Sequence, residues 1–414
     1  MLRRLPSVLL LSLIALPVQA AADKYNQLTP HEIAEGWILL FDGESTFGWT
    51  APNDSQWTVF QGMLAPQAGK EGLLVTTTAF ADYELTFEYR RKSDTDPKLR
   101  IRCDAQGQVS KEADILEIPH YSNDWWEFHI TVRGNKPVPY PNINRPRSTN
   151  TTFGFVASKV ASDGADKPAE LPKPKGGHIA LSGNGIIFRN IKLRPLNTQP
   201  LFNGKDLSGW KVFPNRKSQF TVTPDGALNV KNGPGDLQSE GQWADFVLQL
   251  ECISNGQHLN SGVFFRCLPD QYQQGYEAQI RNQFTPEPTQ AYTIEVYDPK
   301  THELKDKQVI KSPAVDYGTG AIYRRMPARR AVAQDGEWFT LTVVAQGRHF
   351  ATWVNGVPVV DWTDHRPLAD NARQGCYLKK GPISFQGHDP TTDLSFRNIR
   401  IADLAPDAKA EPKE

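Results

Sequence analysis

The sequence predicts an all-β protein built from two tandem jelly-roll sandwiches. Helical periodicity is almost absent, whereas apolar and polar residues alternate along many segments, as in residues 83–89 (YELTFEY) and 246–252 (FVLQLEC). Turn-forming pairs such as Asp335-Gly336 and Asn355-Gly356 lie between such segments. Because a strand with a period of two buries one face, many short strands with tight turns are typical of two packed sheets.

An internal repeat divides the chain into two domains. Residues 40–49 (LFDGESTFGW) are repeated as 201–210 (LFNGKDLSGW), and residues 188–193 (FRNIKL) are repeated as 396–401 (FRNIRI). Segments of this length can each enclose a core, so they are domains and not solenoid units. We therefore expect repeat one at residues 36–196 and repeat two at residues 199–404.

The N-terminus has the features of an export signal. Arg3 and Arg4 precede an apolar stretch over residues 5–16, and small residues follow at Val18 and Ala20. This pattern predicts a signal peptide over residues 1–22 and a periplasmic or secreted protein. No later segment approaches the roughly 20 apolar residues of a membrane helix, so no membrane span is expected. The tail at 405–414 is rich in Ala, Pro, Lys and Glu and is expected to be disordered.

Charge and cysteine content exclude several classes of protein. The chain has 46 lysines and arginines and 46 aspartates and glutamates. It therefore lacks the excess of positive charge that is typical of a protein that binds nucleic acid. Four cysteines are too few for a disulfide scaffold in 414 residues. Cys252 and Cys267 flank a predicted hairpin and could form a bridge; the alternative is that all four are small core residues.

A bound metal and an oligomer are left open by the sequence. Five aspartates could supply oxygen ligands to a divalent cation such as calcium, but their spacing matches no dedicated loop. They are Asp298, Asp361, Asp364, Asp389 and Asp393. The sequence assigns no certain cofactor, and nothing in it decides the oligomeric state.

Polar residues fall on one face of several predicted strands of repeat two. Such a face, with polar groups for hydroxyls and an aromatic for a ring, suits a sugar site. The alternative is the solvated outer face of an ordinary sandwich. The candidates on these strands are Phe264, Arg266, Glu277, Gln279, Arg281, Gln386 and His388. Tyr323 lies in a predicted basic loop that could clamp an anion or cover a sugar; the alternative is a solvated basic loop.

Comparison of the two repeats tests whether this polar surface is only the solvated outer face of a sandwich. Three polar positions of repeat two, Ser384, Gln386 and His388, align with Ala180, Ser182 and Asn184. The intervening residues stay apolar in both copies. The core is therefore kept while the polar face changes, which favours a site in repeat two. Standard catalytic signatures, such as a nucleophile elbow or a zinc-binding helix, are missing.

Five ordered phrases of repeat two resemble the 3-keto-disaccharide hydrolase domain family. They are residues 200–210, 260–266, 275–280, 337–338 and 396–399, and repeat one shares its opening, central strands and close. The resemblance implies a concanavalin-like jelly roll that acts in the periplasm on an oligosaccharide or glycoside oxidised at C3. It is consistent with a degenerate repeat one, which has lost most of the phrase around His388.

The chemistry implied by this resemblance assigns roles to the candidates. A C3 ketone acidifies the C2 proton, so a base can form an enolate that expels the C1 aglycone, and water then adds. Glu277 or His388 would act as base and acid, and Arg266 would stabilise the enolate. Gln279 and Gln386 would hold hydroxyls, and Arg281, Phe264 and Tyr323 would contact substrate. A non-catalytic carbohydrate-binding protein using the same face is the main alternative, and a surface interaction module is a third.

Overall fold

The computed structural model describes residues 25–67, 71–91, 96–119, 121–134, 142–144 and 176–404. The predicted signal peptide and the tail at 405–414 lie outside these residues. Within them the protein consists almost entirely of antiparallel strands arranged as two tandem jelly-roll sandwiches, which confirms the predicted fold class. Among the helices described, none is long and apolar enough to cross a bilayer.

In repeat one, a seven-stranded sheet packs against a five-stranded sheet. The seven-stranded sheet has the order β10-β9-β6-β12-β4-β3, with β1 beside β12, and the five-stranded sheet has the order β2-β5-β11-β7-β8. A short helix α1 (Pro30–Ala34) precedes them, with Thr29 and Glu32 forming a capping box, and a 3₁₀ turn covers Glu112–Asp114. The strands are β1 Ile38–Leu39, β2 Trp49–Thr50, β3 Trp57–Phe60, β4 Met63–Pro66, β5 Gly72–Thr76, β6 Tyr83–Arg91, β7 Lys98–Cys103, β8 Ile115–Glu117, β9 Trp126–Val132, β10 Asn142–Asn144, β11 His178–Gly183 and β12 Ile186–Pro195.

Repeat two has the same arrangement in a more complete form. Its eight-stranded back sheet has the order β15-β16-β27-β18-β23-β24-β25 with β13 beside β27, its front sheet has the order β14-β17-β26-β19-β20, and β21 and β22 form a separate hairpin. The strands are β13 Gln199–Pro200, β14 Trp210–Val212, β15 Gln219–Val222, β16 Leu228–Lys231, β17 Gly235–Ser239, β18 Phe246–Ser254, β19 Ser261–Phe265, β20 Tyr276–Ile280, β21 Gln290–Tyr297, β22 Leu304–Ser312, β23 Phe339–Gln346, β24 His349–Val354, β25 Val357–Thr363, β26 Ser384–Gly387 and β27 Asp393–Asp403.

The repeated closing phrase is a bulge with its own ion pair. Asn190 and Asn398 have φ of +52° and +51°, a conformation that asparagine tolerates better than most residues. In repeat one, Arg189 Nε donates to Glu88 Oε2 at 2.6 Å and Asn190 Nδ2 donates to Glu88 Oε1 at 2.8 Å. Arg397 and Asn398 bond Glu251 in the same way in repeat two. The phrase is therefore conserved between the copies for a structural reason.

The two repeats contact each other through an apolar surface and an ion cluster. Val344, Ala351 and Trp353 from the back sheet of repeat two belong to the hydrophobic core cluster of repeat one. Asp42 of repeat one is buried, and its Oδ2 accepts from Arg329 at 2.8 Å and from Arg330 at 3.0 Å. Repeat one thus covers the back of repeat two, on the side away from the front sheet.

The structure does not form the bridge considered for Cys252 and Cys267. All four cysteines are buried and free. Cys252 lies on β18 of the back sheet, whereas Cys267 follows β19 of the front sheet, so the segment between them connects two sheets and is not a hairpin. The cysteines are core residues, and burial raises the pKa of both these thiols.

Candidate active site

The front sheet of repeat two carries a surface that we call the polar face. Strand register places its residues in two rows across β17, β26, β19 and β20, because alternate residues of each strand point the same way. Leu237, Val263, Ala278 and Phe385 point the other way, into the core. The first row of the polar face is Asp236, Gln386, Gly262 and Gln279, and the second is Gln238, Ser384, Phe264 and Glu277.

Several acceptor atoms at this face have no hydrogen-bond partner among the described residues. All the side chains of the polar face are buried, with Glu277 4% exposed and Gln279 1% exposed. Buried polar atoms in proteins are almost always paired, so a group of orphans needs an explanation. The orphans are Asp236 Oδ1, Gln279 Oε1, Ser384 Oγ, Gln386 Oε1 and, at the edge, Asn260 Oδ1. Their clustering fits a ligand that offers several hydroxyl groups.

Glu277 lies over the backbone of Gly262. A Cβ placed on Gly262 would come 2.6 Å from Glu277 Oε1, so any larger residue there would displace the carboxyl group. Burial raises the pKa of Glu277 to about 7, and the charges of Asp236 and Asp316 add to the rise while Arg373 opposes it. A carboxyl group with such a pKa can both accept and donate a proton near neutral pH.

Asp236 is a second carboxyl group of the same kind. Its Oδ2 accepts a hydrogen bond from the backbone N–H of Gln273 at 3.1 Å. Burial raises the pKa of Asp236 to about 7, against the opposing effects of the Gln273 hydrogen bond and of Arg216 and Arg373. Two carboxyl groups with raised pKa values on one face are a feature of acid–base sites.

Arg373 connects these groups from a loop above the sheet. Its Nη2 lies 3.4 Å from Glu277 Oε2, and its Nε donates to the carbonyl of Gln273 at 3.0 Å. The guanidinium carbon lies 5.2 Å from the ring centroid of Phe264. Its charge opposes the rise in the pKa values of both carboxyl groups, Asp236 and Glu277. Arg373 is therefore a cation of the polar face that contacts Glu277 directly.

His388 lies at the edge of the polar face, beyond the end of β26. Its Nδ1 is 2.8 Å from Asp389 Oδ2, and its Nε2 is 3.3 Å from Asn260 Nδ2. Asn260 Nδ2 also donates to Asp316 Oδ2 at 3.1 Å. Gln279 Nε2 in turn donates to the backbone carbonyl of Asp316 at 3.1 Å. A chain of polar contacts thus links His388 to the first row of the polar face.

Tyr323 and Arg281 lie beside β20. The backbone N–H of Tyr323 donates to the carbonyl of Glu277 at 2.9 Å, and its ring packs 5.2 Å from that of Tyr317. Arg281 continues the alternation of Glu277 and Gln279, but its guanidinium bonds Gln283 Oε1 at 2.8 and 3.2 Å. Both residues therefore border the polar face and do not form part of its two rows.

The prediction that Arg266 shares the face of Glu277 was wrong. Arg266 has φ of +48°, which breaks the alternation after Phe265 and turns the side chain into the core, where it is 0% exposed. Its Nη2 pairs with Asp245 at 2.9 Å, and its other nitrogens donate to the backbone carbonyls of Ala244, Gly347 and Tyr377. It has no contact through which it could stabilise an enolate on the polar face.

Arg102 in repeat one is the counterpart of Arg266. It has φ of +52°, pairs with Asp114 at 2.7 Å and donates to the carbonyl of Gly134 at 2.7 Å, just as Arg266 donates to that of Gly347. An arginine kept in both copies, including the copy that lost the polar face, is a structural element of the fold.

The matching surface of repeat one is apolar where repeat two has its carboxyl groups. By strand register, Leu73 occupies the position in repeat one that is equivalent to Asp236, and Ile115 occupies the position equivalent to Glu277. Val75 and Ala180 replace Gln238 and Ser384 and pack with Leu73 in a small apolar cluster. Repeat one therefore has neither member of the carboxyl pair.

Three residues of this site were missed by the sequence reasoning. Asp236 alternates with Leu237 on a strand whose repeat-one counterpart is Leu73, so the comparison of repeats could have found it. Arg373 and Asn260 lie in irregular segments, where no periodicity indicates the direction of a side chain. For metals, no group of three or more His, Cys, Asp or Glu side chains among the described residues is placed to hold an ion.

Comparisons with known proteins place the chain in a family. The model of the 3-keto-alpha-glucoside-1,2-lyase-like domain matches residues 36–118 and 197–402. This chain, with its two jelly rolls and one polar face, therefore belongs to the 3-keto-alpha-glucoside-1,2-lyase-like domain family. A comparison with curated proteins gave no match.

Several solved structures are similar to one half of the chain. Two are proteins of Parabacteroides distasonis provisionally assigned as glycosyl hydrolases. One is 21% identical with a TM-score of 0.37, covering 50% of this chain and 94% of its own. The other is 24% identical with a TM-score of 0.36, covering 50% and 100%. A third is the carbohydrate-binding module CBM66 from Bacillus subtilis, 15% identical with a TM-score of 0.30, covering 46% and 93%.

Proposed function

We propose that repeat two cleaves 3-keto-glycosides by removing the C2 proton and expelling the aglycone from C1, followed by addition of water. The observation that carries this proposal is the pair of buried carboxyl groups, Asp236 and Glu277, whose pKa values are raised to about 7 beside the cation Arg373. Membership of the 3-keto-alpha-glucoside-1,2-lyase-like domain family supports the same chemistry.

Glu277 is the proposed base. The C3 ketone acidifies the C2–H bond. As Glu277 takes the proton, the C2–H electron pair forms a C2=C3 double bond and the π pair of the C=O bond moves to the ketone oxygen. Arg373, beside Glu277, stabilises the negative charge that develops on this oxygen. A preorganised cation in a site shielded from water acts more strongly than in bulk solvent.

Asp236 is the proposed acid. The enolate collapses, C1 and C2 form a double bond, and the C1–O bond to the aglycone breaks. The pKa of Asp236 is raised to about 7, so this carboxyl group is largely protonated below that pH and can give its proton to the departing oxygen. Water then adds across the double bond and yields the free 3-keto sugar.

The orphan acceptors of the polar face are the proposed hydroxyl-binding groups. Gln279, Gln386 and Asn260 each have one buried carbonyl oxygen there without a partner among the described residues. His388 holds Asn260 through its Nε2 and thereby positions this set. Tyr323 and Tyr317 border the face as aromatic contacts for a sugar ring. The proposal includes export through the signal peptide predicted over residues 1–22.

The decisive experiment uses the mature protein with 3-keto-trehalose and a 3-keto-glucoside, with the unoxidised disaccharides as controls. Loss of the keto sugar and release of aglycone are expected only from the oxidised substrates. Glu277→Gln and Asp236→Asn should each lower turnover by about 10²–10⁴-fold. Glu337→Gln, which removes an exposed carboxylate, is the matched control and should keep full activity.

The same experiment distinguishes the carbohydrate-binding alternative. Glu277 must exchange the C2 hydrogen of a 3-keto substrate with solvent deuterium when expulsion is slow. Absence of exchange and of turnover, together with tight binding of unoxidised glycans, would replace the enzyme with a binding protein. Adding a chelator in parallel tests the open question of a divalent cation.

A further inference from the structure

A second cavity of repeat two lies outside the polar face. The hairpin of β21 and β22 stands over the edge strand β25 and the segment at Arg324 and Arg325, and encloses about 560 Å³. Its walls include Trp362, Tyr297 and Lys307, and none of the residues of the polar face. A volume of this size is typical of small-molecule sites.

The lining of this cavity carries more positive than negative charge, with four basic side chains against two carboxylates. Lys307, Arg324 and Arg325 form no ion pair with any of the described residues. Arg325 is partly buried, and a guanidinium has five donors. Within the described chain this guanidinium makes one hydrogen bond, from Nη2 to the carbonyl of Arg373 at 3.1 Å. Burial and the nearby charge of Arg366 lower the pKa of Arg325. A desolvated cation without a counter-ion is costly, which an anionic ligand would offset.

Two further nitrogen atoms of residues that line the cavity are buried without partners in the described part of the chain. They are Arg366 Nη1 and His365 Nδ1. The two lining carboxylates, Glu295 and Asp361, keep their charge while accepting hydrogen bonds from Tyr297 and from Thr77 of repeat one. They offset only part of the positive charge of the lining.

Trp362 gives the cavity an apolar surface. Its ring stacks on Phe350 at a centroid distance of 5.7 Å, which fixes its orientation. Aromatic rings beside arginines suit a sugar that carries an acidic group, because a guanidinium binds a carboxylate through two parallel bonds while the ring contacts the C–H face. We propose that this cavity binds an acidic sugar residue bearing a carboxylate, separate from the chemistry of the polar face.

The test is a calorimetric titration of the full mature chain at low salt with cellobiouronic acid and with neutral cellobiose. The acid should bind at least tenfold more tightly. The Arg324→Gln, Arg325→Gln double variant should lose this preference, and Lys307→Gln should reduce it. Lys300→Gln, at the exposed hairpin turn outside the cavity, is the matched control and should keep it.

Three outcomes would overturn the proposal. Equal affinity for the acid and for cellobiose would exclude recognition of the carboxylate. Displacement of the acid by equimolar inorganic sulfate would show an anion site without sugar recognition. Loss of the preference in Glu277→Gln would place binding on the polar face. Circular dichroism of each variant, with Lys307→Gln as the milder change, separates a binding defect from misfolding. None of these readouts depends on turnover of a 3-keto substrate.

Discussion

Replacing Glu277 by glutamine should remove activity and at the same time stabilise the protein at alkaline pH. The folded state raises the pKa of Glu277 from its ordinary 4.5 to about 7, so the folded chain holds this proton more tightly than the unfolded chain. The contribution of this group to stability is therefore fully present below pH 4.5 and is lost as the pH rises through about 7. Glutamine does not titrate and avoids this loss.

The size of the effect follows from the pKa. Each pKa unit corresponds to about 1.4 kcal/mol, so Glu277→Gln should gain about 3 kcal/mol over the wild type at pH 8 and about 1 kcal/mol at pH 5. For a repeat of this size, the gain at pH 8 corresponds to a Tm increase of roughly 5 to 10 °C.

Thermal unfolding followed by circular dichroism at pH 5 and pH 8 checks this prediction. Glu337→Gln should match the wild type at both values, because its side chain is exposed. If Glu277→Gln and the wild type unfold at the same temperature at pH 8, or differ by the same amount at both pH values, Glu277 is not a buried carboxyl group with a raised pKa.

Three other predictions concern the pH profile, the buried arginine and the contact between repeats. The kcat/KM profile should be bell-shaped with a maximum near pH 7, because Glu277 must be ionised and Asp236 protonated; a flat profile between pH 5 and 9 would contradict the assignment. Arg266→Met should cost about 3 to 5 kcal/mol in urea unfolding by leaving Asp245 unpaired, while the folded fraction keeps its turnover; a hundredfold loss of turnover in folded protein would return Arg266 to the site. Asp42→Ala should cost about 3 kcal/mol in the same measurement, because it leaves Arg329 unpaired at the contact between repeats and Arg330 with Glu44 alone; an unchanged urea midpoint would show that this cluster does not hold the repeats together.

Alternation and duplication were sufficient to predict the fold and the position of three site residues. Glu277 and Gln279 lie on β20 and Gln386 on β26, within strands whose period is regular, so their common face could be read from the sequence. A period gives the direction of a side chain only while the backbone stays extended. Arg266 comes one residue after β19 and has a positive φ. The alternation of the strand therefore predicts the wrong direction for its side chain.

Arg373 shows a different limit. It approaches Glu277 from a loop nearly a hundred residues later in the chain, and only the three-dimensional path of that loop brings the two together. The raised pKa values were equally beyond the sequence, since they depend on burial by segments remote from β17 and β20.

The apolar contact between the repeats has an evolutionary consequence. Because repeat one covers Val344, Ala351 and Trp353, these positions can be apolar although they lie on the outer face of a sheet. Deletion of repeat one would uncover them and favour aggregation. A version of repeat two that stands alone would therefore need polar residues at these positions, so the copy without the carboxyl pair protects the copy that has it.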